Sequence, residues 1–184
     1  SESGDNQGAI ADFNKAIEID PQYAGAYYNR GLAKSKSGDY QGAIADSNKA
    51  IAINPKYADA YNNRGVAKGE LGDPQGAITD FSKAIELDPK DADSYSNRGL
   101  AKSESGDYQG AITDFNKAIA IDPRNAAAYN NRGLAKSKSG DNQGAIADYN
   151  KAIAINPQHA NAYNNRGNAK YGLGDQQGAC ADYK

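Results

Sequence analysis

Carboxylates recur along this chain at one spacing: Asp12, Asp46, Asp80, Asp114, Asp148 and Asp182 stand 34 residues apart. Paired carboxylates can do acid–base work. Six equivalent places without a unique partner read instead as structural, so no catalytic residue and no enzyme activity are expected. His159, the single histidine, falls in the turn after Pro157, where Tyr23, Tyr57, Asp91 and Asn125 hold the equivalent place; it reads as a solvated turn residue. Cys180 replaces an isoleucine found at Ile10, Ile44, Ile78, Ile112 and Ile146, which predicts a small buried apolar residue rather than a reactive thiol. One His and one Cys cannot assemble a zinc site. The glycine-rich turns lack the Lys-Ser/Thr ending of a phosphate-binding loop. No metal and no cofactor are expected.

Two further polar series remain. Asn29, Asn63, Asn97, Asn131 and Asn165 are preceded by Tyr28, Asn62, Ser96, Asn130 and Asn164, and an amide offers both a donor and an acceptor. Directly after them come Arg30, Arg64, Arg98, Arg132 and Arg166, each followed one helical turn later by a lysine such as Lys68. A planar guanidinium makes paired hydrogen bonds to a carboxylate and keeps its charge when partly buried. The arginines are therefore expected to pair with Asp46, Asp80, Asp114 and Asp148 as a structural charge ladder, locking each first helix to a second helix, its own or the preceding one.

Charge and composition bound the partners. A formal net charge of -2, from 21 basic and 23 acidic residues, supplies no long-range attraction for phosphate backbones or anionic membranes, which excludes nucleic acid as a default partner. No apolar stretch approaches the roughly 20 residues that span a bilayer, so no membrane insertion is expected. The first residues lack the basic and apolar regions of a signal peptide, and the lone cysteine fits a reducing compartment; a soluble, cytoplasmic chain is expected. With no Trp, no Met and three Phe, Ala, Ile, Leu and Tyr must fill thin, closely packed layers.

The elements that position these series follow from the period. Pro21, Pro55, Pro89, Pro123 and Pro157 recur every 34 residues, and Gly-Asp-x-Gln-Gly-Ala begins at Gly4, Gly38, Gly72, Gly106, Gly140 and Gly174. Within the unit from Ala58 to Asp91, two helices are expected on either side of Leu71 to Asp73. Gly72 ends the first in the left-handed region, Asp73 caps the amides opening the second, and Pro74 takes the first helical position. Ala77, Ile78, Phe81, Ala84 and Ile85 then form one apolar face, which ends before Pro89. Gly65, inside the first helix, would cost about 1 kcal/mol relative to Ala, so close approach of a neighbouring helix must require it. Gly76, repeated in six copies, raises the same question without an equally firm answer.

This pattern resembles the tetratricopeptide repeat over essentially the whole chain, through Tyr61, Gly65, Ala77, Phe81, Ala84 and Pro89 and their counterparts. It departs in having Arg where the family has leucine before the glycine, Lys where it has tyrosine three residues after, and Ser47 where other units carry Phe or Tyr. The variant Asn-Arg-Gly-x-Ala-Lys resembles arrays of bacterial and photosynthetic-lineage proteins. The resemblance implies an all-α, right-handed α-solenoid whose first helices line a concave side. Over residues 1–184 it implies one array: a partial repeat at 1–23, complete repeats at 24–57, 58–91, 92–125 and 126–159, and a partial repeat at 160–184.

It also implies a function. The Asn series, with Tyr28, Asn62, Asn130 and Asn164, would face the groove and hold the backbone of an extended peptide or a partner helix, making the chain a protein-interaction module. A chaperone-tail clamp is disfavoured, because Tyr28, Asn62, Ser96 and Asn130, with Leu32, Val66, Leu100 and Leu134 one turn later, supply no extra cations. The alternative is a structural element that self-assembles end to end. The helix expected over Asp5 to Asp20 would present Ile10, Phe13 and Ile17 at one end, and Tyr163 and Ala169 would be partly covered at the other.

Overall fold

The computed structural model describes residues 2–182, with side chains from Asn6 onward. Among these residues there are eleven helices and no strands: α1 (Glu2–Ile19), α2 (Ala24–Lys36), α3 (Tyr40–Ile53), α4 (Ala58–Glu70), α5 (Pro74–Leu87), α6 (Ala92–Glu104), α7 (Tyr108–Ile121), α8 (Ala126–Lys138), α9 (Asn142–Ile155), α10 (Ala160–Gly172) and α11 (Gln176–Asp182). The chain is an all-α repeat fold in which 13-residue first helices alternate with 14-residue second helices. It forms two compact units divided between Lys90 and Asp91. In the first unit α2 packs on α1 and α3, α4 packs on α3 and α5, and α2 touches α4. In the second, α6 and α8 pack on α7, α8 and α10 on α9, and α10 on α11, while α8 also touches α6 and α10.

One dipeptide closes each first helix and opens the next. Gly38, Gly72, Gly106, Gly140 and Gly174 have φ between +81 and +94°. In the unit around Gly72, Asp73 N–H donates to the Lys68 carbonyl at 2.9 Å and Gly72 N–H to the Gly69 carbonyl at 2.9 Å, a Schellman ending that satisfies the last carbonyls. The Asp73 carboxylate then accepts from Gly76 N–H at 2.8 Å and caps α5. A Cβ at Gly76 would stand 2.0 Å from that carboxylate. The glycine is thus required by the cap, which answers the question its repetition raised. The Gly-Asp at Gly4 lies instead within α1, which starts at Glu2 rather than Asp5; no helix precedes it among the described residues for a glycine turn to end.

The core is alanine-rich, as thin layers demand. Ala43, Ala60, Ala67 and Ala77 in the first unit and Ala111, Ala135, Ala145 and Ala162 in the second are fully buried. Phe81, Phe115 and Tyr149 supply the bulk, each lying against the glycine of its own first helix: a Cβ at Gly65, Gly99 or Gly133 would meet the ring at 2.7, 2.9 or 2.7 Å. Where Ser47 replaces the ring, the amide of Asn63 enters from the following first helix, donating to Ser47 Oγ at 3.1 Å and standing 3.2 Å from a Cβ at Gly31. Cys180 departs from expectation: it is exposed. The isoleucines at the equivalent positions of α3, α5, α7 and α9 are only half-buried, so this is a flank of the core and not its interior.

Candidate interaction surfaces on the first helices

The arginine of each first helix is a clasp. Arg30 gives Nε and Nη2 to the two Asp46 oxygens at 2.8 and 2.5 Å and Nη1 to Asn14 Oδ1 at 2.6 Å, joining α2 to α3 and α1 at once. Lys34 Nζ stands 2.8 Å from Asp46 Oδ2, and the guanidinium lies 5.5 Å from the Tyr27 ring centroid. Arg64 repeats the set with Asp80 at 2.8 and 2.6 Å, Asn48 at 2.7 Å, Lys68 and Tyr61. In the second unit Arg98 holds Asp114. Arg132 holds Asp148 and Asn116, and Arg166 holds Asp182 and Asn150. The acidic partner is always on the second helix of the same repeat, sixteen residues on; for Arg30, Arg64, Arg132 and Arg166 the preceding second helix supplies an amide sixteen residues back.

Electrostatics follow from this geometry. The hydrogen bond to aspartate raises the pKa of Arg30, Arg64 and Arg166 against the opposing effect of burial. Burial pushes the Asp182 carboxyl up, but hydrogen bonds from Arg166 and Lys170, and their charges, outweigh it and hold the group below its ordinary value. Asp46, Asp80, Asp114 and Asp148 are 2 to 4 % exposed and each meets two cations, so these carboxylates are committed to helix packing. Sequence reasoning missed the amide partners Asn14, Asn48, Asn116 and Asn150, whose signal was their own 34-residue recurrence, broken by Ser82.

The asparagine series is not uniform. Asn29 and Asn164 are exposed, while Asn62, Asn97, Asn131, Asn165 and Tyr28 are half-buried. Asn63 departs from the groove expectation, because the space over Ser47 draws its amide into the packing layer. In the second unit Asn130 departs as well, being buried, and three amides meet around it: Asn165 donates to Asn130 Oδ1 at 3.0 Å, and Asn130 donates to Asn131 Oδ1 at 3.2 Å. In the first unit Tyr28 meets Tyr57, with ring centroids 5.0 Å apart. At the ends, Ile10, Phe13, Ile17 and Tyr163 are half-buried and Ala169 is buried. His159 is the half-buried N-cap residue of α10, without a side-chain cap bond. No helix among the described residues is long and apolar enough to cross a membrane.

Known families resolve what this repeat is. The TPR repeat model matches residues 2–38, 34–72, 103–140 and 137–174, and two tetratricopeptide repeat models match 58–91 and 81–113. The chain belongs to the tetratricopeptide repeat family. Among solved structures, this TPR chain is similar to MamA at 31% identity, covering 83% of this chain and 90% of that one with a TM-score of 0.77. It is similar to YrrB, described as a TPR protein with an unusual peptide-binding site, at 26% identity over 88% of this chain and 84% of that one, TM-score 0.72. PilW, a type IV pilus biogenesis factor, shares the fold at 22% identity over 98% and 84% of the two chains, TM-score 0.90. No curated protein matches the sequence.

Proposed function

We propose that the chain is a protein-interaction module that holds an extended segment of a partner along its first helices. The observation that carries this reading is the pair of half-buried amides Asn131 and Asn165 on α8 and α10, both tied to the buried Asn130, with Asn164 exposed beside them. Arg132, Lys136, Arg166 and Lys170 of the same helices are tied to Asp148 and Asp182. What remains is neutral and able both to donate and to accept, which suits the backbone of a peptide strand. The likeness to YrrB, a TPR protein described as having a peptide-binding site, supports the same reading.

Selection from a random twelve-residue peptide library, followed by fluorescence anisotropy, tests it. Removing two neutral hydrogen bonds at about 1 kcal/mol each with Asn131→Ala and Asn165→Ala should weaken a selected peptide about tenfold or more, with helicity unchanged. Unaltered affinity in the double variant would move binding off these helices.

A further inference from the structure

Beyond the amides, the first helices of the second unit change character. On α8 the residues three and seven places after Asn131 are Leu134 and Lys138, and on α6 those after Asn97 are Leu100 and Glu104; residues at i, i+3 and i+7 share one helix face. Leu100 and Leu134 are each 38% exposed. Glu104 and Lys138 are exposed and are the last residues of their helices. α6 packs beside α8, and the bond from Asn165 of α10 to Asn130 of α8 shows how consecutive first helices set these faces side by side. Three rows therefore cross the helices: amide, apolar and charged. The charged row changes sign from α6 to α8 and ends at α10, where the corresponding residue is Gly172.

Helix packing does not use these two charges. The other cations of α6 and α8 are committed, Arg98 and Lys102 to Asp114, and Arg132 and Lys136 to Asp148. Among the described residues, Glu104 and Lys138 have no ionic partner. Glu104 also stands against its own helix, because the carbonyl end carries partial negative charge that favours a cation and disfavours a carboxylate. α8 follows that rule with Lys138 and α6 breaks it. Asp93, in the first turn of α6, adds a second exposed carboxylate to that helix, whereas α8 contains none. The exposed side chains thus give α6 a negative face and α8 a positive one.

Dimensions select the occupant. Seven helical residues separate the amide row from the charged row by about 10 Å, and packed helices stand about 8–10 Å apart. In an extended segment, residues i and i+2 point to the same side about 6.6 Å apart. A segment lying across the amides can therefore send two long side chains over the leucines, their methylenes on Leu100 and Leu134 and their heads at Glu104 and Lys138. We propose that Glu104 and Lys138 read the charge of the bound segment, taking an arginine or lysine over α6 and a glutamate over α8, two residues apart. This rests on the reading that the first helices hold such a segment. It adds what an amide row cannot supply, since amides donate and accept for either chain direction, whereas two opposite charges fix the direction and the register. The first unit carries the charges in the reverse order, Lys36 closing α2 and Glu70 closing α4, but there the amide row is broken by the burial of Asn63.

Charge reversal tests it on the whole chain. Binders from the peptide library should carry a basic residue and a glutamate two positions apart, in one order only. By fluorescence anisotropy, a selected peptide should bind about threefold to fivefold tighter than the same peptide with those two charges exchanged, and the preference should shrink as salt is raised to about 0.5 M. Glu104→Lys combined with Lys138→Glu should invert the preference. Glu104→Lys alone should abolish it while melting no lower than the wild type, since a cation suits that end of the helix. Equal affinity for the two peptides, or a preference that the doubly reversed protein retains, overturns the charge reading and leaves the amide reading standing. Binders that are uniformly acidic, uniformly basic or uncharged overturn it in the same way. A library that yields no binder removes the groove reading and this one with it.

Discussion

Asp148 is 4% exposed and meets both Arg132 and Lys136; a charge so placed is tolerable only while its partners remain. Breaking a buried pair by removing one member costs about 3–5 kcal/mol, although the intact pair contributes little net stability. Arg132→Ala, with Lys136 still present, should cost about 3 kcal/mol by that comparison, and a double-mutant cycle with Asp148 in urea unfolding should show coupling of at least about 0.5 kcal/mol. Arg132→Lys should restore little, since an ammonium cannot reproduce the two bonds to Asp148 and the third to Asn116. Additive losses would mean that the clasp is solvated. Asp182 adds a pH dependence. Its folded pKa lies below the ordinary 3.8, so its contribution is fully present above that value and is lost as pH falls through the folded pKa. Acid titration of unfolding should therefore show a loss of stability below about pH 4 that shrinks in Asp182→Asn; an identical pH profile in that variant would count against it.

At the scale of the element, the glycines of α4, α6 and α8 are set by the rings on their own second helices. Gly65→Ala drives a Cβ into Phe81 at 2.7 Å, while Gly31→Ala, opposite Ser47, meets nothing closer than 3.2 Å. Overpacking of this kind costs typically about 1–3 kcal/mol. Gly65→Ala should accordingly be the more destabilising of the two by about 1 kcal/mol or more in urea denaturation, and equal losses would detach the glycine from the ring. These helices were legible in the sequence because each boundary has a local signal: Gly72 for the turn, Asp73 for the cap, Pro89 for the stop. Gly76 was visible as a repeat but not as a reason, because its constraint is the capping carboxylate three residues earlier. Ser47 was visible as an exception, yet its effect falls on Asn63, sixteen residues away, and turns a groove candidate into a packing residue. The contact of Tyr28 with Tyr57 escaped notice for a similar reason. Each tyrosine looked like an ordinary member of its column until the fold set the two side by side.

For the whole molecule, all packing within each unit joins helices that are neighbours or next-but-one in the chain. Contacts this local favour fast folding and let stability accumulate repeat by repeat. The second unit has its own alanine layers with Phe115 and Tyr149 buried among them. Expressed alone, residues 91–184 should be helical by circular dichroism and unfold cooperatively; a fragment without helical signal would make its order dependent on the first ninety residues. The arginine clasp carries a further consequence for how such a chain changes length. At Arg30, Arg64, Arg132 and Arg166 its fork reaches sixteen residues back to an amide and sixteen forward to a carboxylate, and these offsets are unchanged when a whole 34-residue segment is duplicated or lost. A second copy of residues 126–159 placed after the first would give every new arginine both its partners without one compensating substitution. An insertion of any other length between Asn116 and Arg132 would strand the arginine from its amide. The chemistry of the clasp thus makes growth by whole repeats silent and growth by fractions costly, a grammar under which recombination between copies can lengthen or shorten the array and still leave it folded.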